Sequence, residues 1–154
     1  MKTRTVALTV LMLFVGLTVC FASNPTLGTW KLNEAKSKIV PGSPKNVTVT
    51  YEAAGDSIKG TIDGVDGEGK PTHNEWTGKF DGKDYPVTGD PSSDTRAIKQ
   101  IDDHHYNLTV KKGGKVTLTG KAVVSADGKS RTVTISGTDP SGKKVTSTAV
   151  YDKQ

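Results

Sequence analysis

Cysteine is almost absent from this chain of 154 residues: there is one, Cys20. Long apolar runs are equally scarce. The single example covers residues 6–19, behind the basic Lys2 and Arg4 and ahead of Cys20-Phe21-Ala22. Its length and flanks match a secretory signal peptide with a small-residue cleavage site, and fall short of a resident membrane helix. The alternative is a bacterial lipoprotein box, Leu17-Thr18-Val19-Cys20, with a lipid anchor on Cys20. The valine directly before the cysteine fits that box poorly. Removing the signal, residues 1–22, leaves 132 residues, enough for one domain, 23–154, with one core. That domain has no cysteine, which excludes a disulfide framework, a thiolate nucleophile and a cysteine metal site. It is expected to be secreted or periplasmic and to be held by its core and its hydrogen-bond ladders alone.

Clustered charge is also lacking. The signal takes two of the 21 basic residues and none of the 16 acidic ones, so 19 face 16 and the mature charge is +3. Lysines and aspartates are scattered, with no basic stripe, and no nucleic-acid partner is expected. Apolar residues at helical spacing are missing throughout the mature chain.

Period-2 alternation is present instead. Val47, Val49 and Tyr51 alternate with Asn46, Thr48, Thr50 and Glu52, the pattern of a strand with one buried face. It recurs in Tyr106, Leu108 and Val110, in Val116, Leu118, Gly120, Ala122 and Val124, in Val133 and Ile135, and in Val145, Ser147, Ala149 and Tyr151. Asp66-Gly67, Asp81-Gly82, Gly113-Gly114 and Asp127-Gly128 are hairpin dipeptides. Between such turns lie ten strands, near 28–33, 45–53, 57–65, 71–80, 83–87, 95–101, 104–111, 115–125, 130–138 and 143–152. Short connections join neighbours, so the order is a meander. A meander of this length hides its edges by closing on itself. The segment 33–44 is the exception, with one helical turn capped by Asn33 and then a loop across one mouth. The fold class expected is all-β, a single up-and-down antiparallel barrel of about ten strands.

Gly28-Thr29-Trp30-Lys31-Leu32 at the start and Val150-Tyr151-Asp152-Lys153-Gln154 at the end resemble the two ends of calycin barrels, the lipocalins and fatty-acid-binding proteins. The resemblance implies a lipocalin-like barrel enclosing a small apolar ligand such as a fatty acid, with Trp30 plugging one end. Two departures matter. The connection from Leu32 to Lys45 is too short for the helical lid of the fatty-acid-binding proteins, and export fits lipocalins better. In the fatty-acid-binding proteins an Arg-x-Tyr pair of the last strand often holds the ligand carboxylate. Here Tyr151 stands at the tyrosine position, but Ala149 occupies the arginine position.

Strand parity assigns the remaining inward residues. Trp76 and Phe80 bring Thr72, Asn74 and Gly78; Ile98 brings Arg96 and Gln100. A buried arginine is costly unless paired, which makes Arg96 a candidate anchor for a ligand carboxylate or phosphate. Otherwise Arg96 reaches solvent at the strand end or pairs with Asp94 or Asp90. Gly60, Gly78, Gly120 and Gly137 sit mid-strand and are expected to mark bends, with ligand space as the alternative. Adjacent His104 and His105 point to opposite faces of a strand, so no metal site is expected at Asp102-Asp103-His104-His105. His73 and Glu75 share the outward face with Thr77 and Lys79. No Ser-His-Asp, HExxH or Gly-rich phosphate motif stands out, so no catalytic residues and no cofactor are expected.

The sequence therefore reads as an exported, monomeric barrel, not an enzyme, that binds a small apolar or amphipathic molecule. Its candidate ligand-binding residues are Trp76, Phe80, Tyr85, Tyr106 and Tyr151, with Arg96, Gln100 and Asn74 as polar anchors. Two other readings stand beside it. One is a filled-core barrel or β-sandwich acting through its Thr/Lys-rich outer surface on the cell envelope. The other is a small envelope enzyme using His73 or the His104/His105 turn.

Overall fold

The computed structural model describes residues 24–138 and 142–154; the expected signal segment, with Cys20, lies outside the described residues. Ten strands follow one another: β1 (Gly28–Leu32), β2 (Lys45–Ala54), β3 (Ser57–Val65), β4 (Pro71–Gly78), β5 (Tyr85–Thr88), β6 (Thr95–Gln100), β7 (His105–Lys112), β8 (Lys115–Val124), β9 (Ser130–Thr138) and β10 (Lys144–Lys153). Each pairs antiparallel with its neighbours in sequence, and β1 pairs with β10 to close the barrel. Among the described residues helix is confined to one 3₁₀ turn, Glu34–Lys36, where the Asn33 side chain accepts from the Lys36 amide.

Alternation explains the core. Trp30, Val49, Tyr51, Ile62, Trp76, Ile98, Tyr106, Ala122, Val124 and Tyr151 form one buried cluster. Each sits at an inward register position; Trp30, Val49, Ile62 and Asn74, for example, are successive cross-strand partners. Trp30 is fully buried, and its indole N–H donates to the Thr26 carbonyl at 2.8 Å. Lys153 lies 5.0 Å over the same ring and donates to the Pro25 carbonyl. The Tyr106 hydroxyl donates to the Asn24 side chain at 3.0 Å. Residues 24–27 thus stopper the barrel at the end where the β2–β3, β4–β5, β6–β7 and β8–β9 turns lie. Gly28 must be glycine, because it has φ of 113° and a Cβ there would sit 2.9 Å from Lys153 Cε. Emptying the Trp30 site would cost about 3–5 kcal/mol, as for other large-to-small core changes.

Two local expectations are corrected. Alternation places Val116 on the buried face, but it is 56% exposed. A register shift between Val110 and Lys111 inserts Thr117 as an extra residue, pairs Val116 with Lys111 and turns the strand end over. The mid-strand glycines do not mark bulges, because the two register shifts, here and between Asn46 and Thr48, fall at none of them. Gly60 and Gly78 instead admit aromatic rings: a side chain at Gly60 would overlap the Trp76 indole, and one at Gly78 the Tyr85 ring.

Candidate ligand site inside the barrel

The barrel interior divides into a fully buried part and a partly exposed part. Tyr51, Trp76, Phe80 and Tyr106 meet edge to face or tilted, with ring centroids 5.3 to 6.3 Å apart. They fill the space above the Trp30 stopper. Away from it, Arg96, Val110, Leu118, Gly137 and Val145 are successive cross-strand partners and so share the inward face. All five are only partly buried, as are Leu108, Gly120 and Ile135 in the next row. This half of the barrel has a mostly apolar inner wall.

Parity placed Arg96 and Asn74 inside, and the structure brings them together. Arg96 Nη2 donates to the Asn74 side-chain oxygen at 3.3 Å. Of the expected alternative partners, Asp94 pairs with Lys112, while Asp90 accepts from Ser92 and Ser93 and attracts Arg96 through space. Burial pushes the Arg96 guanidinium below the ordinary arginine value. Trp76, Phe80, Tyr85, Tyr106 and Tyr151 all belong to the core or pack against it. Gln100 pairs with Tyr106 across β6 and β7. Three phenols are already engaged: Tyr106 with Asn24, Tyr85 with Asp81, and Tyr151 with the Asn46 carbonyl at 3.1 Å. Burial pushes the Tyr151 phenol up to about 12, so it stays protonated.

The residue that sequence reasoning missed is Arg131. It is 8% exposed, on β9, directly across from Tyr151 on β10. The arginine lacking at Ala149 therefore arrives from the neighbouring strand. Its guanidinium carbon lies 5.0 Å from the Tyr51 ring centre and 6.0 Å from that of Tyr151. Nη2 donates to the Tyr51 hydroxyl at 3.2 Å. Nε and Nη1 are buried and have no acceptor, and the same holds for Trp76 Nε1. Buried donors without partners are rare, and each one calls for an explanation. Three N–H groups that lack acceptors in one interior suit a ligand rich in acceptors.

The polar groups outside the barrel make no comparable site. His73 binds Asp63 at 2.7 Å on the exposed face of β3 and β4. His105 binds Asp102 within its own turn, and His104 reaches the Val124 carbonyl. Among the described residues no three His, Cys, Asp or Glu side chains converge on a point that would hold a metal ion. An open depression of about 440 Å³ lies on the outer wall of β7 to β9, lined by outward residues such as Asn107, Thr119, Lys121 and Thr134.

Comparison with known proteins adds little beyond the fold. No family model matches the chain, and no curated protein matches it. Among solved structures, lobster apocrustacyanin A1 aligns over 86% of this chain and 63% of its own, at 12% identity and a TM-score of 0.44. The barrel is lipocalin-like in architecture. That statement rests on the closed, up-and-down strand order rather than on the distant likeness.

Proposed function

We propose that the protein is an exported carrier that holds an amphipathic organic acid inside its barrel, with Arg131 as the anchor of the acid group. The observation that carries this reading is the Arg131 guanidinium, buried with Nε and Nη1 unpaired. Burying an unpaired charge is unfavourable unless something of opposite sign completes it. A carboxylate would accept from Arg131, while an aliphatic tail would lie along Leu108, Val110, Leu118 and Val145 toward the mouth. Arg96 and Asn74 form the second polar point, and Trp76, Phe80, Tyr85, Tyr106 and Tyr151 supply the floor and wall, with Gln100 beside Tyr106. Export is supported by residues 1–22, and a monomeric domain over 23–154 is the simplest assembly of a barrel with no open sheet edge.

Titration with dodecanoic acid, followed by tryptophan fluorescence, tests the reading. The parent should bind at micromolar levels. A charged hydrogen bond contributes about 1.5–3 kcal/mol, so Arg131→Gln should weaken binding roughly tenfold to a hundredfold. Absence of binding by organic acids of this kind, or binding that Arg131→Gln leaves unchanged, rejects the anchor. Native mass spectrometry of protein from its own source would show a co-purifying acid directly. The reading that the outer wall acts on the cell envelope has only the β7–β9 depression in its favour.

A further inference from the structure

Arg96 and Arg131 are the only arginines among the described residues, and both lie inside the barrel. Neither forms an ion pair there. The lysines behave differently: Lys36, Lys45, Lys59, Lys70, Lys79, Lys83, Lys111 and Lys112 each meet a carboxylate on the surface. Lysine outside and arginine inside is the distribution expected where a planar fork must recognise an oxyanion.

The two guanidinium groups belong to one constellation. Arg131 donates to the Tyr51 hydroxyl, and the Tyr51 ring packs edge-on against Trp76 with centroids 6.3 Å apart. Asn74, two residues before Trp76 on the same inward face of β4, accepts from Arg96. Tyr51 and Trp76 thus stand between the two cations. The Trp76 N–H among them has no acceptor. Asp90, the acid on the loop beside Arg96, accepts from the Ser92 and Ser93 hydroxyls and attracts Arg96 through space without touching it. A single carboxylate would meet one of the two guanidinium groups and leave the other with no carboxylate in contact.

We propose that the site selects amphiphiles whose head group carries two negative charges, a phosphate monoester or a geminal dicarboxylate, over singly charged fatty acids. One oxygen edge is held by Arg131, and the second charge is met by Arg96, with the Tyr51 hydroxyl and the Trp76 N–H between them. The inference rests on the interior-acid reading above and narrows it to a head-group class.

The test uses the mature chain, stripped of bound lipid, and four probes of equal tail length: dodecyl phosphate, dodecylmalonic acid, dodecanoic acid and dodecanol. At pH 8 a phosphate monoester is doubly charged, because its second ionisation lies near pH 6. Dodecyl phosphate should then bind at least roughly tenfold more tightly than dodecanoic acid, a difference of about 1.4 kcal/mol. At pH 5, where it carries one charge, the advantage should vanish. Arg96→Gln should erase the advantage at pH 8, and Arg131→Gln should weaken all three acids. The pH comparison needs only the parent protein, so it stands even if a variant fails to fold. Tight binding of only one of the two doubly charged probes identifies the source of the charge, phosphorus or paired carboxylates, and supports the proposal. Equal affinity for dodecanoic acid and both doubly charged probes at pH 8 overturns it and leaves the interior-acid reading intact. Failure of all three acids to bind rejects that reading as well.

Discussion

Replacing Arg131 by methionine should make the ligand-free protein more stable while abolishing its affinity for acids. Methionine is unbranched and adaptable, and it fills the space of the arginine stem without a charge. The magnitude follows from the contacts. Two buried nitrogens without acceptors cost about 1–3 kcal/mol each. Against that, the variant forfeits one charged hydrogen bond to Tyr51, about 1.5–3 kcal/mol, and the two ring contacts, about 0.5–2 kcal/mol. These sums nearly cancel. The desolvation of the charge itself, several kcal/mol for a buried ion, then decides the sign. The net expectation is a gain of about 1–4 kcal/mol. Urea unfolding reads it directly: with a slope of about 1–3 kcal/mol/M, the midpoint should rise by roughly 1 M at unchanged slope. The parent must be stripped of ligand first, because a ligand at a hundredfold excess over its dissociation constant adds about 2.7 kcal/mol and would hide the gain. A variant with a lower midpoint than the stripped parent would refute the reasoning. It would mean that Arg131 holds the barrel together and is not held in reserve for a partner.

Gly60→Ala should destabilise the barrel by about 1–3 kcal/mol, because the new methyl group overlaps the Trp76 indole and forces it off its position; a thermal midpoint equal to the parent's would show that the ring can move freely. His73 should titrate above its ordinary value of 6.5, held up first by the Asp63 hydrogen bond. A raised folded-state value means its stabilisation is complete below the unfolded value and is lost as pH rises through the folded one. Proton NMR titration of the His73 ring should therefore show a shift back toward 6.5 in Asp63→Asn, and an unchanged midpoint would reject the pairing.

Most of the architecture was legible in the sequence because its causes are local. A period of two with threonine, serine and lysine opposite valine, leucine and tyrosine admits one solution, and the Gly-containing dipeptides mark where each strand ends. β3 and β9 fall where the turns put them, residue for residue. Legibility failed where the cause was an event between strands. Nothing in Lys115-Val116-Thr117 announces that Thr117 will be extra, so Val116 was read on the wrong face. Gly60 and Gly78 owe their places to rings that come from elsewhere in the barrel. The inward position of Arg96 was legible from Ile98 by parity. The same rule, run from Val133 and Ile135 on β9, reaches Arg131, one residue inside the expected strand 130–138. Its importance lies in what does not accept from it, and that is visible only in three dimensions.

The seam between β1 and β10 has a consequence for how the molecule comes into being. Trp30 pairs with Lys153 and Leu32 with Tyr151, so the barrel closes only when the last strand joins the first, which already pairs with β2. Until β10 is present, β1 to β9 are a sheet with two raw edges, at β1 and β9. Closing a loop that spans the whole domain carries its entropy cost before any contact across the seam repays it, which places the chain among the slow folders. The finished barrel is edgeless; the growing one is a ribbon. In a chain built this way the β1–β10 seam is the one pairing that spans the whole domain, and it is the contact on which closure of the ribbon depends.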